Sequence, residues 1–275
     1  MTAESAAERG ESPVALITGG GTGIGAATAA ALAASGWRVV VSGRRLDRLE
    51  RTAARTGATP VVADATDTAA ANALLEQTLE RFGRLDGLVL NAGVTGRAEV
   101  AEMSDELWDD QIRTNLTAAF KVARAALPGL IEAKGSIVGV ASSSSLRVTP
   151  RLPAYNAAKA GLAMLMQTIA VDYGPSGVRA NAVCPGWTRT EMGDAAMAQV
   201  GERLGLDVED AYRIASAFLP IRRVSAPEEI AATIAWLLSP AASSVTGAVI
   251  PVDGGMTAAE PTAAGFDPRV SLRLD

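Results

Sequence analysis

The amino-acid sequence predicts an α/β fold, a single doubly wound domain around a mostly parallel seven-stranded sheet. Short apolar runs alternate with helical patterns throughout residues 14–252, and strands separated by helices imply right-handed crossovers between parallel neighbours. The runs are also too uniformly apolar for a sheet that has one face in water. No linker and no repeat of fixed period divides the chain, so we expect one domain over residues 13–256.

The predicted strands are the short apolar runs. In chain order they lie at residues 14–17, 39–41, 60–63, 87–90, 136–140, 178–183 and 248–252. The predicted helices between them each last about three turns or more. They lie at residues 24–34, 46–56, 68–82, 105–127, 154–173 and 227–238.

A glycine-rich turn links the first predicted strand to the first helix. Its sequence is Thr-Gly-Gly-Gly-Thr-Gly-Ile-Gly at residues 18–25. Glycines let the backbone approach a pyrophosphate, and the helix N-terminus offers unpaired N–H groups and the positive end of its dipole. A plain structural turn is the alternative. Because the second strand follows at the distance that a βαβ unit requires, the turn indicates dinucleotide binding.

The end of the second predicted strand bears on the choice of dinucleotide. An acidic residue at this place accepts hydrogen bonds from ribose hydroxyls and repels a 2′-phosphate. This chain has Gly43 there, followed by Arg44 and Arg45, and guanidinium groups bind phosphate bidentately. The sequence therefore favours NADP(H) over NAD(H). The alternative is that both arginines are solvated and that NAD is used.

Tyr155 and Lys159 lie four residues apart in a helical pattern, so their side chains share one helix face. A free tyrosine, with a pKa of about 10, holds its proton too tightly to be a good base near neutral pH. A lysine ammonium and the positive nicotinamide of an oxidised cofactor would lower that pKa. Tyr155 would then donate and accept a proton. For the pair taken alone, a solvated helix face is the alternative.

Residues 190–222 interrupt the alternation of strands and helices. The segment is long and mixed in polarity, with two short helical stretches at 194–204 and 208–219. Because insertions after a strand usually border the ligand crevice, we interpret this segment as a substrate lid. The alternative is a pair of helices that only packs against the domain.

The two ends of the chain lie outside the predicted domain. Residues 1–12 form a polar tail, and residues 257–275 either are disordered or lie on a neighbouring subunit.

Composition excludes several classes of protein. The net charge is -5, from 25 basic and 30 acidic residues, and no basic run could follow a nucleic-acid backbone. No apolar run reaches the ~18 residues of a membrane span, and the N-terminus is unlike a signal peptide. Histidine is absent, which excludes Ser-His-Asp and Cys-His nucleophiles and histidine zinc sites. The single cysteine, Cys184, forbids an internal disulfide and agrees with a reducing compartment, so we expect a cytoplasmic protein. We expect no metal, because the sequence has no evident set of ligands for one.

Several phrases in a fixed order resemble the short-chain dehydrogenase/reductase family over residues 13–256. The resemblance implies a Rossmann-like fold, oxidoreduction of a carbonyl or alcohol, and a homotetramer. The phrases are the glycine turn at 18–25, Asp64, residues 91–93, Asn115, Ser142, Tyr155 with Lys159, Pro185 and Gly186 with Thr190, and residues 252–255.

The resemblance implies a catalytic group made of Asn115, Ser142, Tyr155 and Lys159. The Ser142 hydroxyl would hold the substrate oxygen in line with Tyr155, although serines also follow at 143–145 and the assignment could shift by one. Asn115 would hold a water that connects Lys159 to bulk solvent. The alternative is an asparagine that satisfies a local kink.

The resemblance also assigns residues to the cofactor. Asp64 would meet the adenine, residues 91–93 would line the adenosine side, and residues 185–190 would hold the nicotinamide carboxamide. Thr188 stands where a branched aliphatic residue is usual. The predicted cofactor site consists of Gly19, Gly21, Thr22, Gly23, Ile24, Gly25, Arg44, Arg45, Asp64, Ala65, Asn91, Ala92, Gly93, Tyr155, Lys159, Pro185, Gly186, Thr188 and Thr190.

We therefore expect an NADP(H)-dependent oxidoreductase that interconverts a carbonyl and a secondary alcohol on a small, mainly apolar, cyclic or aromatic substrate. The alternatives are an NAD-dependent dehydrogenase of a hydroxy compound, a 3-oxoacyl-carrier-protein reductase and a non-catalytic cofactor-binding regulator. The nearly uncharged stretch at 125–134 disfavours an acidic carrier protein, and Arg147 and Arg151 are expected at the surface. The predicted substrate pocket consists of Val94, Ser144, Leu152, Trp187 and Met192.

Overall fold

The computed structural model describes residues 12–259, so most of the two predicted tails, residues 1–11 and 260–275, lies outside the described residues. The strands in this range are β1 (Val14–Thr18), β2 (Arg38–Gly43), β3 (Thr59–Val62), β4 (Gly87–Leu90), β5 (Ser136–Val140), β6 (Arg179–Pro185) and β7 (Val249–Val252). The helices are α1 (Gly23–Ala34), α2 (Leu46–Thr56), α3 (Thr68–Phe82), α4 (Asp105–Ile112), α5 (Ala118–Ala133), α6 (Pro153–Tyr173), α7 (Glu191–Leu204), α8 (Val208–Ser216) and α9 (Pro227–Leu238).

The strands form one sheet in the order β3-β2-β1-β4-β5-β6-β7. Every neighbouring pair is parallel, so the described sheet is parallel throughout rather than mostly parallel. The prediction of a doubly wound α/β fold is confirmed. The direction of winding reverses between β1 and β4, and ligands of such sheets bind at the carboxyl ends of the strands beside that reversal.

Both faces of the sheet are buried, which explains why its strands are apolar at successive positions. On β1, Leu16 faces a core formed with α3, α5 and α6. Ala15 and Ile17 face the opposite core, formed with α1 and α9. A fully buried Leu or Ile contributes roughly 1.5–3 kcal/mol, so the two cores together hold the strand ends rigidly in place.

The predicted single helix over residues 105–127 is wrong. The chain forms α4, then a π-helical turn at Arg113–Thr117, then α5, which continues through Pro128. In the π-turn the N–H of Ala118 donates to the carbonyl of Arg113, five residues earlier, so the turn holds one more residue than an α-turn. A hydrophobic period does not reveal such an insertion, because the apolar face continues on both sides of it.

The other predicted elements are present, with ends shifted by at most three residues. The largest shifts are in the segment 190–222, where α7 begins earlier and α8 ends earlier than expected. Thr190 accounts for the early start, because its Oγ1 accepts a hydrogen bond from the N–H of Gly193 at 3.0 Å and caps the helix. None of the helices in residues 12–259 is long and apolar enough to cross a membrane.

Candidate active site

One cleft at the carboxyl ends of the strands collects the residues that the sequence singles out. It encloses about 620 Å³ and reaches from the turn after β1 to the start of α7. Every predicted cofactor, catalytic and substrate residue lines it except Gly25, which is buried behind the turn. The fold therefore brings the glycine turn and the tyrosine–lysine pair, which are far apart in sequence, into one site.

The glycine-rich turn leaves space that side chains would fill. Gly19 and Gly23 have φ values of +65° and +51°, in the left-handed region that glycine adopts without strain. A Cβ on Gly25 would overlap the carbonyl oxygen of Gly19 and lie 2.6 Å from Nδ2 of Asn91. The backbone and the N-terminus of α1 can therefore approach a ligand closely, and this cradle fits the pyrophosphate of a dinucleotide.

Asn91 fixes the glycine turn to the end of β4. Its Nδ2 donates to the carbonyl oxygens of Thr18 at 3.1 Å and Gly19 at 3.0 Å. Its backbone N–H donates to Oγ1 of Thr18 at 3.1 Å. The side chain lines the cleft, as expected, and it also positions the turn, which the sequence did not indicate.

Lys159 is buried beside Tyr155, with only 4% of its surface exposed. Its Nζ donates to the carbonyl oxygen of Val140 at 2.8 Å and lies 5.7 Å from the centre of the Tyr155 ring. Burial lowers the pKa of Lys159 from its ordinary value of 10.5 to about 8. This lysine can therefore exchange a proton close to neutral pH.

The hydroxyl of Tyr155 has a raised pKa in the protein alone, whereas the lowered pKa predicted from the sequence also depends on the positive charge of an oxidised nicotinamide. Burial raises its pKa, and the side chain of Ser142 acts in the opposite direction. Of the serines at 142–145, Ser142 is the one whose side chain acts on Tyr155, which supports its assignment, while Ser144 shares a hydrogen bond with Thr149 at 2.8 Å.

Asn115 lies buried in the π-turn and braces the loop after β4. Its Nδ2 donates to the carbonyl oxygens of Val94 and Gln111, both at 2.9 Å, and its Oδ1 accepts from the N–H of Val94 at 3.1 Å. Both amide hydrogens are therefore committed to the protein. A relay water at Asn115 would therefore have to donate a hydrogen bond to an oxygen of this residue, either Oδ1 or the backbone carbonyl.

We expect protein stability to report the lowered pKa of Lys159. Between pH 8 and 10.5 the unfolded chain, in which this lysine has its ordinary pKa, binds more protons here than the folded chain. In that interval the free energy of unfolding should rise with pH relative to Lys159→Met, by up to about 1.4 kcal/mol per pH unit. Urea unfolding of the cofactor-free proteins at about pH 7.5 and about pH 9.5 measures this. A difference that does not change with pH would contradict the lowered pKa.

Arginines cluster at the end of β2, where the dinucleotide ribose is expected. Arg44 and Arg45 line the cleft together with Arg48, which the sequence prediction missed. Arg48 forms an ion pair with Glu191, the first residue of α7, and Arg45 lies 4.0 Å from the same carboxylate. Arg48 and Glu191 are 143 positions apart, so no local pattern could have paired them.

The first helix of the predicted lid borders the cleft. Met192 and Ala196 of α7 line it. The second helix, α8, packs behind α7, with Tyr212 against Met197 and its hydroxyl donating to Asp194 at 2.9 Å. Helix α7 therefore borders the cleft and α8 packs behind it, and the role of this segment as a substrate lid stays a prediction.

The substrate end of the cleft is mainly apolar, with one charged exception. Arg97, in the loop after β4, lines the cleft, although no motif drew attention to it. Arg147 and Arg151 are exposed, as the sequence predicts.

Thr188, in the predicted nicotinamide segment, donates to the carbonyl oxygen of Gly186 at 3.1 Å. Within residues 12–259, no group of three or more metal-binding side chains lies close enough together to hold an ion.

Comparisons with known proteins agree with this geometry. A family model described as enoyl-(acyl carrier protein) reductase matches residues 19–257. The 2-(S)-hydroxypropyl-CoM dehydrogenase 3 of Xanthobacter autotrophicus is 40% identical over 252 residues, which cover 89% of this chain and 96% of the relative.

Two solved structures are similar over nearly their whole length. The crystal structure of levodione reductase superposes with a TM-score of 0.87 at 34% identity, covering 91% of this chain and 99% of the other. An actinorhodin polyketide ketoreductase variant with NADPH superposes with a TM-score of 0.86 at 33% identity, covering 90% of this chain and 97% of the other.

Proposed function

The chain belongs to the short-chain dehydrogenase/reductase family of oxidoreductases that act on CH–OH groups, and we propose that it uses NADP(H) and a compact, mainly apolar substrate. The observation that carries this proposal is the position of Tyr155, beside Lys159 and Ser142, in the cleft that also contains the glycine cradle. A bound nicotinamide cofactor would supply the hydride in reduction and accept it in oxidation.

The protein's own groups would handle the oxygen atom and its proton. In the direction of reduction, the Ser142 hydroxyl would hold the carbonyl oxygen, and Tyr155 would transfer its phenolic proton to that oxygen. Lys159 would stabilise the resulting phenolate, and its pKa of about 8 allows it to return a proton to Tyr155. Asn115 would position a water that carries protons between Lys159 and solvent. Oxidation of the alcohol would run through the same groups in reverse.

Arg44, Arg45 and Arg48 support NADP(H) as the cofactor. A guanidinium–phosphate contact is worth roughly 1.5–3 kcal/mol, which corresponds to a preference of about tenfold or more. The carboxylate of Glu191 works against this preference, because it is paired with Arg48 and would repel a 2′-phosphate. That ion pair is the observation that favours the NAD-dependent alternative.

We expect Gly43→Asp to shift the cofactor preference towards NAD(H). A Cβ at Gly43 would meet only Leu49 Cδ2, at an ordinary contact distance of 3.7 Å, so the substitution causes no clash at Cβ. Its carboxylate would repel the 2′-phosphate and accept hydrogen bonds from the ribose, so the ratio of kcat/KM for NADP(H) over NAD(H) should fall about tenfold or more. Gly43→Asn, similar in size and uncharged, is the control. Equal use of both cofactors by the wild type would leave the arginines facing solvent and support the NAD alternative.

The substrate class can be tested with a panel of compounds assayed with both cofactors. It should contain cyclic and aromatic ketones, the matching secondary alcohols and a 3-oxoacyl thioester. We expect the cyclic and aromatic compounds to have the highest kcat/KM, because Val94, Leu152 and Trp187 offer apolar surface worth about 25 cal/mol per Å² buried. A clear preference for the thioester would instead support the carrier-protein alternative.

A homotetramer is part of the proposal. The family resemblance implies subunit contacts through the helices before β5 and around Tyr155, and through the last helix and strand. Each of these helices exposes a large apolar side chain that a contact between subunits would bury. These side chains are Trp108 on α4, Phe120 on α5, Met164 on α6 and Trp236 on α9. The expected cytoplasmic location stays a prediction.

A further inference from the structure

Arg97 is a half-buried arginine of the cleft that has no counter-ion among residues 12–259. It follows β4 and lines the cleft at the substrate end, in the same loop as Val94. Among residues 12–259, no carboxylate lies within ion-pair distance of its guanidinium, and no hydrogen bond from it is formed. A buried charge is normally paired, and the partly buried guanidinium of Arg97 is available to pair with a ligand in the cleft.

The carboxylates closest to Arg97 in sequence are already used by another arginine. The N–H of Ala98 donates to the carbonyl oxygen of Arg151 at 3.0 Å, which joins the loop after β4 to the loop before α6. The side chain of Arg151 is paired with Glu99 at 3.3 Å and Glu102 at 3.7 Å. Glu99 and Glu102 therefore pair with Arg151 and not with Arg97.

The charges that act on Arg97 are positive. Burial, and then the guanidinium groups of Arg203 on α7 and of Arg151, lower its pKa. It nevertheless remains protonated, because a guanidinium keeps its charge in proteins. The arginines at the adenosine end differ in this respect, since Arg48 there faces the carboxylate of Glu191. The cleft thus carries a second cationic position that the cofactor arginines do not explain.

We propose that the substrate carries an oxyanion group, such as a carboxylate, sulfonate or phosphate, on an atom other than the reacting carbon, and that Arg97 binds it. This inference rests on the proposed function. The apolar side chains Val94, Leu152 and Trp187 hold the body of the substrate, and the planar guanidinium, with its donors in a fixed fork, donates two parallel hydrogen bonds to the oxyanion. A small molecule is favoured over an acidic protein surface, because Arg97 lines the cleft and is half-buried.

A matched pair of substrates tests the proposal. The pair is a cyclohexanone with a carboxylate on the far side of the ring and the methyl ester of the same compound. We expect the wild type to prefer the acid and Arg97→Gln to lower kcat/KM for the acid about ten- to a hundredfold, mainly through KM, with kcat/KM for the ester nearly unchanged. Arg147→Gln is the control, because Arg147 is exposed and does not line the cleft; it should change neither value.

Three outcomes would overturn the proposal: no preference for the acid in the wild type, equal losses on acid and ester in Arg97→Gln, or the same loss in the control. A stronger effect of Arg203→Gln than of Arg97→Gln, seen only with carrier-protein-bound substrates, would also overturn it, in favour of a protein-binding surface. Preference for a phosphate or sulfonate analogue over the carboxylate would keep the anion site and identify its ligand.

Binding without turnover separates this inference from the proposed function. Cyclohexane carboxylate, sulfonate and phosphate can be titrated calorimetrically into the protein saturated with cofactor. If neither ketone is turned over but an anion binds and Arg97→Gln abolishes binding, the proposed substrate class fails and the anion site stands. If the ester is turned over and no anion binds, the proposed function stands and the anion site is refuted.

Discussion

Tyr155→Phe should lower kcat about 10³- to 10⁴-fold while the affinity for the cofactor stays nearly unchanged. The substitution removes a single oxygen atom, the one that would transfer the proton. The ring remains to pack beside Lys159, whose Nζ is held by the carbonyl of Val140. The loss should appear equally in kcat and kcat/KM, because the proton is transferred only in the transition state.

Steady-state kinetics and fluorescence titration of the cofactor measure the two quantities separately. Tyr173→Phe is a matched control, because Tyr173 lies at the other end of α6 and packs against the core. It should leave kcat within about twofold of the wild type. If Tyr155→Phe retains more than about a tenth of the wild-type turnover, a different group transfers the proton.

Gly25→Ala should weaken cofactor binding about a hundredfold and destabilise the fold. A methyl group on Gly25 would overlap the carbonyl oxygen of Gly19 and approach Nδ2 of Asn91, so the glycine turn would have to move. Hydrogen bonds to a charged group contribute roughly 1.5–3 kcal/mol each, so the loss of one or two of them from the cradle lowers the affinity about a hundredfold. Overpacking adds roughly 1–3 kcal/mol of lost stability.

Calorimetric titration of the cofactor and urea unfolding measure these effects. Gly174→Ala is the control: its Cβ would meet no described atom within 4 Å, and its φ is -53°. Its affinity for the cofactor should equal that of the wild type. Unchanged cofactor affinity in Gly25→Ala would mean that the turn adapts without disturbing the ligand, and that the cradle is less tight than the backbone contacts indicate.

The strands and the cofactor turn could be predicted because both depend on local chemistry. A strand buried on two faces must be apolar at successive positions, and a turn that meets a pyrophosphate must be free of side chains. The eight residues from Thr18 to Gly25 show the glycine-rich pattern that such a turn requires. The elements that follow such rules are found within a few residues of their predicted ends.

The features that the sequence did not predict depend on partners that only the fold supplies. The spacing of Tyr155 and Lys159 predicts that they share a helix face, but not that Val140 accepts a hydrogen bond from Lys159. In the sequence Arg48 looks like any surface arginine, and only the fold brings Glu191 beside it. Arg97 becomes notable because Arg151 takes the neighbouring carboxylates, and neither fact has a local signature.

The π-turn at Arg113–Thr117 also constrains how the length of this chain can change. Each residue added to or removed from a helix rotates everything beyond it by about 100°. Removing one residue would restore a continuous α-helix, but it would rotate α4 against α5. Either Val122 and Leu130 would leave the core, or Gln111 would leave the loop after β4, to which its amide is bonded. Substitutions within the turn can be tolerated one at a time, whereas a deletion or insertion there would change both helices at once.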